Sequence, residues 1–203
     1  MYCPHSNLRQ KAVDKVTDNS TGHNRVCPWW LCFTFDNPLR RLIHKPETLL
    51  APYVRTGDTV IDVGAGMGYF SIPLAGLVGP AGHVVAIDIQ DKTLAALSVR
   101  ARKSGVFDRI TTYLASPDSL GSHPMADFIL AFWMVHEVLR QRTFLNEIFN
   151  LLVPGGCFLM AEPVFHVSEK SFKQTIQTAL ETGLILKVRP KIRFSHSALL
   201  EKP

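Results

Sequence analysis

Five residues of this chain have the types and spacing needed to hold a nucleotide. They are Asp62, Gly64, Gly66, Gly68 and Asp88. Glycines let a backbone turn sharply and approach a ligand more closely than any Cβ would allow. A carboxylate at the end of the following strand offers acceptor oxygens to ribose hydroxyls. The pattern therefore predicts a strand, a loop and a helix that bind a nucleotide-containing cofactor.

The spacing of the glycines distinguishes between classes of nucleotide. A dinucleotide-binding loop has the form G-x-G-x-x-G and directs a helix N-terminus at a pyrophosphate. Here the form is G-x-G-x-G, and Asp62 lies two residues before the first glycine. A negative charge at that place is unfavourable beside a pyrophosphate, whereas it suits a ligand with a cationic end. A nicotinamide dinucleotide is therefore a distant alternative.

With these residues the chain resembles the class I S-adenosylmethionine-dependent methyltransferases, whose first motif is acid-x-G-x-G-x-G. Later features agree with the resemblance: Asp88 after the strand His83–Ile87, the apolar strand Ala126–Phe132, and the turn Pro154-Gly155-Gly156. The chain is most similar to the small-molecule enzymes of ubiquinone/menaquinone biosynthesis and of arsenite methylation. The resemblance implies S-adenosylmethionine as cofactor and S-adenosylhomocysteine as product.

Short β-branched strands alternate with amphipathic helices after residue 45, which predicts a mostly parallel sheet with helices on both faces. The predicted strands are Thr59–Val63, His83–Ile87, Ile110–Leu114, Phe128–Phe132, Cys157–Ala161, Leu184–Val188 and Ile192–Leu200. The resemblance implies the three-layer α/β/α, Rossmann-like fold of these enzymes. It implies seven strands in the order 3-2-1-4-5-7-6, closed by an antiparallel hairpin.

Three local expectations concern the helices. We expect Asp91 to cap the helix that follows Asp88. We expect Leu152 to belong to the helix that ends at the Pro-Gly-Gly turn, and Leu180 to belong to the buried face of the last helix, with Phe172 and Ile176.

Length and composition indicate one globular domain, since 203 residues with 46% hydrophobic content are enough for a full core. We expect residues 1–45 to form a cover or lid segment and residues 46–203 to form the S-adenosylmethionine-binding methyltransferase domain. We expect a lid because the stretch Cys27–Phe35 is rich in aromatic residues. A functional pair of Cys27 and Cys32 is an alternative to two buried apolar side chains.

Apolar runs, cysteine spacing and net charge indicate where the protein is located and which partners it binds. The longest apolar run is about half of a membrane span, and the first residues lack the apolar centre of a signal peptide. Four unevenly spaced cysteines do not form a disulfide framework, which favours the cytoplasm. The +5 charge is scattered, which argues against nucleic acid as a partner. We predict no metal site, and the sequence does not indicate an oligomeric state.

The resemblance assigns cofactor contacts to nine positions: Asp62, Gly64, Ala65, Gly66, Gly68, Asp88, Ile89, Ser116 and Phe132. Asp62 is expected near the methionine end of the cofactor, directly or by fixing the loop, although capping of the following turn is an alternative. Asp88 is expected to bind the ribose and Ile89 to pack on the adenine. Ser116 stands where many relatives have an aspartate that accepts from the adenine amino group.

The segment after the fourth strand is expected to face the transferable methyl group. Phe132 and Trp133 predict an aromatic pocket for a small molecule, and the absence of an Asn/Asp-Pro-Pro-aromatic motif argues against base methylation. His136 and Glu137 are the titratable pair of this segment and are candidate catalytic residues. A structural histidine and a helix-start acid are the competing interpretations. A protein or RNA methylase, or a cofactor-binding protein without catalysis, remains the alternative function.

Overall fold

A computed structural model describes residues 44–203, which contain a single seven-stranded sheet in the order β3-β2-β1-β4-β5-β7-β6. The strands are β1 (Thr59–Val63), β2 (His83–Asp88), β3 (Ile110–Leu114), β4 (Ala126–Phe132), β5 (Leu152–Pro163), β6 (Ile185–Val188) and β7 (Ser195–Glu201). Strands β1 to β5 are parallel, while β7 is antiparallel to both β5 and β6. The predicted class, strand order and C-terminal hairpin are confirmed.

Within residues 44–203, five α-helices cover the two faces of the sheet: α1 (Pro46–Leu50), α2 (Ser71–Leu77), α3 (Asp91–Lys103), α4 (Gln141–Leu151) and α5 (Glu169–Glu181). Helices α4 and α5 bury Phe144 and Phe172 in one core, and helices α1 to α3 bury Leu50, Leu74 and Leu97 in the other. The strands contribute to both cores because successive side chains point to opposite faces.

The central strands are apolar because they are covered on both faces. In β4, every residue from Phe128 to Phe132 is buried. The Phe128 ring lies parallel to the ring of Tyr53, 6.0 Å between centroids. Because β1, β2 and β4 are in parallel register, Val63, Asp88 and Phe132 end at the same edge of the sheet.

The structure differs from each of the three local predictions made for the helices. Leu152 adopts an extended conformation and begins β5, because it pairs with Ala126 before an irregularity in the β4–β5 register. Leu180 is predicted to lie on the buried face of α5, but it is 37% exposed. Thr175 is buried on that face instead. Gln90, not Asp91, occupies the N-cap position of α3.

Strand β7 begins at Ser195, three residues later than predicted. Phe194 immediately before it has a positive φ of 57°, which is incompatible with a continuous strand. Of the helices within residues 44–203, none is long and apolar enough to cross a membrane. Nearly all of the proposed lid segment, including Cys27 and Cys32, lies outside the described residues.

Candidate functional site

A cavity of about 920 Å³ lies at the carboxyl ends of the parallel strands. Its walls are the loops that follow β1, β2, β3, β4 and β5. Open α/β sheets bind their ligands in this place. The volume is near the upper end of the range of small-molecule pockets, which is about 300–1,000 Å³. The cavity therefore has room for a nucleotide cofactor together with a small second ligand.

Asp88 presents a carboxylate to this cavity from the last position of β2, where it is 9% exposed. The backbone N–H of Gly66 donates to Oδ2 at 2.8 Å, and that of Gln90 donates to Oδ1 at 2.9 Å. Burial raises the pKa of Asp88, whereas the hydrogen bonds from Gly66 and its other neighbours oppose the rise. The carboxylate thus ties the glycine loop to the end of β2 at a fixed position.

The three glycines of the loop have different surroundings. A Cβ at Gly66 would meet no atom within 4 Å, so the backbone there borders open space in the cavity. A Cβ at Gly64 would lie 2.9 Å from Met134, and a Cβ at Gly68 would lie 2.8 Å from the fully buried Leu97. Gly68 therefore serves close packing of the loop against α3, and Gly66 leaves room for a ligand.

Alanine substitutions are expected to separate these two roles. Gly66→Ala should cost about 1–2 kcal/mol of stability, since the residue has a φ of 52°, and it should weaken binding of S-adenosylhomocysteine roughly tenfold. Gly68→Ala adds a clash to the same backbone strain, so its cost should be about 2–5 kcal/mol. Urea unfolding and calorimetric binding measure the two effects. A larger loss of stability from Gly66→Ala would contradict this assignment.

Asp62 is buried at the end of β1, and the Ser71 hydroxyl at the start of α2 donates to its Oδ2 at 2.5 Å. Among the described residues, the cavity lining includes Gly64, Ala65 and Gly66 but not Asp62. The hydrogen bond between Ser71 and Asp62 ties the two ends of the glycine loop together. Asp62 therefore lies where its carboxylate fixes the loop.

Two further predicted contact residues border the same cavity. Ile89, which follows Asp88, is 41% exposed, and Ser116 lies in the exposed turn after β3. The sequence did not identify Glu147 of α4, whose carboxylate accepts the Leu120 N–H at 2.6 Å and so holds the far end of that turn. No periodic pattern signals this contact, because it joins two residues that are distant in the sequence.

The loop after β4 forms an aromatic wall. Phe132 lies with its ring centroid 4.5 Å from that of Phe70. Trp133 has a φ of 62°, an unfavourable conformation for a bulky residue. Its backbone N–H donates to Ala161, and its indole N–H donates to Ser195 at 2.9 Å. These contacts hold the strained residue at the cavity wall.

His136 and Glu137 follow in a short 3-10 turn, Val135–Glu137, and both border the cavity. The Glu162 carboxylate at the end of β5 accepts the Nδ1 proton of His136 at 2.5 Å. This hydrogen bond raises the pKa of His136, and burial opposes the rise. The sequence prediction omitted Glu162, although a carboxylate at the carboxyl end of a strand was a usable signal.

Comparison with known sequences identifies methyltransferases as relatives of this chain. A family model described as a methyltransferase domain matches residues 55–189. The chain is 30% identical over 121 residues to a ubiquinone/menaquinone biosynthesis C-methyltransferase of Pasteurella multocida, which covers 59% of this chain and 45% of that protein. It is 29% identical over 163 residues to a demethylmenaquinone methyltransferase of Symbiobacterium thermophilum, covering 74% and 65% respectively. The chain thus spans about half to two thirds of these relatives.

Comparison with solved structures supports the fold. An S-adenosylmethionine-dependent methyltransferase from Aquifex aeolicus superimposes with a TM-score of 0.79 at 20% identity, over 88% of this chain and all of that chain. The [4+2]-cyclase SpnF superimposes with a TM-score of 0.66 at 16% identity, over 78% and 81%. Because a protein named as a cyclase has this fold, the fold alone does not establish the reaction.

Proposed function

The chain belongs to the class I S-adenosylmethionine-dependent methyltransferases, and on that premise we propose that it transfers a methyl group to a small-molecule acceptor. The observation that carries the proposal is the cavity, which combines a carboxylate and glycine loop with an aromatic wall. When bound, S-adenosylmethionine supplies a methyl group on a positively charged sulfur that a nucleophile can attack in line. The chain then has to align the acceptor and exclude water.

The first half of the cavity fits the cofactor. Asp88 offers carboxylate oxygens to ribose hydroxyls, and the open space over Gly66 allows close approach. Ile89 provides an apolar surface for the adenine ring, and Ser116 provides a hydroxyl acceptor for its amino group. Asp62 supports this half through Ser71. We assign Asp62 the role of fixing the loop, which is one of the two roles expected from the sequence.

The second half of the cavity favours a small and largely apolar acceptor. Phe132, Trp133 and Phe165 provide aromatic surface there, and Phe165 is 60% exposed at the rim. Aromatic lining combined with some polar groups at defined positions, here including His136, is typical of small-molecule sites. The relatives named for quinone biosynthesis act, by those names, on small molecules. The scattered positive charge does not favour nucleic acid.

Turnover assays test this proposal. The full-length chain is incubated with S-adenosylmethionine, and S-adenosylhomocysteine is quantified with phenols, hydroquinones, thiols and arsenite as acceptors. Cys27→Ser and Cys32→Ser are assayed beside the wild type with thiols and arsenite. We expect turnover with at least one small molecule. Turnover with RNA or protein alone would overturn the acceptor class, and cofactor binding without any turnover would support the non-catalytic alternative.

A further inference from the structure

A buried carboxylate holds an imidazole at the acceptor half of the cavity. Glu162 is 2% exposed and accepts three hydrogen bonds from a single turn of the chain. The Val135 N–H donates to Oε1 at 2.9 Å, and the His136 N–H and Nδ1 donate to Oε2 at 3.2 and 2.5 Å. These three donors reach both oxygens of the carboxylate. The contacts therefore fix both the backbone and the ring of His136.

This arrangement determines which ring nitrogen of His136 carries the proton in the neutral state. Both oxygens of Glu162 already accept from backbone N–H groups, so the carboxylate is the acceptor and Nδ1 is the donor in their mutual hydrogen bond. The second nitrogen, Nε2, then carries a lone pair. The side chain of His136 is 29% exposed and borders the cavity. A ligand in the cavity can therefore reach a basic nitrogen.

Two other titratable groups lie near this ring, and an exposed ion pair lines the same cavity. Glu137, in the same turn, adds a weaker electrostatic effect that raises the pKa of His136. The ring of His166, from the segment after β5, stacks on His136 with 6.0 Å between centroids. Arg140 lines the same cavity and lies 3.6 Å from Asp118 in an exposed ion pair. Glu162 is thus the partner in direct contact with Nδ1.

We propose that His136 is the general base of the methyl transfer and that Glu162 is its positioning residue. The inference rests on the proposed function and names the acceptor class, a small molecule with a proton on the attacking atom, such as a phenol, an enol or a thiol. The acceptor proton moves to Nε2, a bond forms between the acceptor atom and the methyl carbon, and the carbon–sulfur bond breaks with its electron pair left on sulfur. The imidazolium then releases its proton to solvent.

The protonation part of this inference is testable without any substrate. Nitrogen-15 NMR of the full-length chain measures the tautomer and pKa of His136, with His136→Asn used to assign its signals. We expect an Nδ1–H tautomer and a raised pKa in the wild type. Glu162→Gln should lower this pKa, and the matched variant Glu137→Gln should lower it less. An Nε2–H tautomer, or an unchanged pKa in Glu162→Gln, would overturn the proposal.

The catalytic part is tested with an acceptor that the wild type methylates. His136→Asn should lower kcat by about 10²- to 10⁴-fold with binding of S-adenosylhomocysteine retained. Since the base must be neutral, the acid limb of the pH profile should follow the pKa of His136 and move to lower pH in Glu162→Gln. Undiminished kcat in His136→Asn would refute the base. Absence of wild-type turnover would instead count against the proposed function, and the NMR result would still decide the role of Glu162.

Discussion

Replacing Asp88 by alanine is expected to weaken binding of S-adenosylhomocysteine by about 10²- to 10⁴-fold. A hydrogen bond to a charged group contributes about 1.5–3 kcal/mol, and we propose that the carboxylate accepts two from the ribose. The loss of about 3–6 kcal/mol corresponds to that change in affinity. The variant also releases the Gly66 N–H that holds the glycine loop. Isothermal titration calorimetry measures the affinity directly.

Asp118→Ala is the matched control for this prediction. Asp118 borders the same cavity, but its side chain is 65% exposed and pairs with Arg140 at 3.6 Å. Exposed ion pairs contribute about 0–1 kcal/mol, so we expect less than about a fivefold change in affinity. Equal losses from the Asp88 and Asp118 variants would show that charge in the cavity matters rather than the position of Asp88.

Replacing Phe128 by alanine is expected to reduce the free energy of unfolding by about 3–5 kcal/mol. Phe128 is fully buried in β4 and stacks on Tyr53. The neighbouring strands pair with β4 on both sides, so the surroundings cannot easily collapse into the vacated volume. Urea unfolding followed by circular dichroism measures the change.

Phe165→Ala provides the aromatic control. Phe165 is 60% exposed and contacts Trp133 and His166 through ring edges at the cavity rim. We expect a stability change of about 1 kcal/mol or less, together with a higher KM for an apolar acceptor. A loss of stability as large as that of Phe128→Ala would mean that Phe165 belongs to the core.

Much of the fold could be predicted because the strands are short and apolar and are separated by glycine and proline. Strands β1 and β3 have the predicted bounds, and the strand order follows from the resemblance. The errors lie where tertiary contacts override local pattern. Leu152 continues the helical spacing of α4, but it pairs with Ala126 and becomes part of β5. Phe194 interrupts the predicted strand Ile192–Leu200, because its φ of 57° turns the backbone.

The candidate site could be predicted in its cofactor half and less so in its acceptor half. The glycines form one contiguous motif and Asp88 ends the next strand, so the residue types and their spacing indicate a nucleotide-binding site. Glu162 is separated from His136 by 26 positions, and one sequence does not show which carboxylate reaches a given imidazole. The packing role of Gly68 could not be predicted for the same reason. Its neighbour Leu97 lies on α3, and the sequence does not show that α3 packs against the glycine loop.

The most direct test of the cofactor assignment is calorimetric titration of the full-length wild-type chain with S-adenosylhomocysteine and, separately, with NAD⁺. The geometry of Asp88 and the glycine loop predicts saturable one-to-one binding of S-adenosylhomocysteine and no measurable heat with NAD⁺. Saturable binding of NAD⁺, or no binding of S-adenosylhomocysteine, would contradict it.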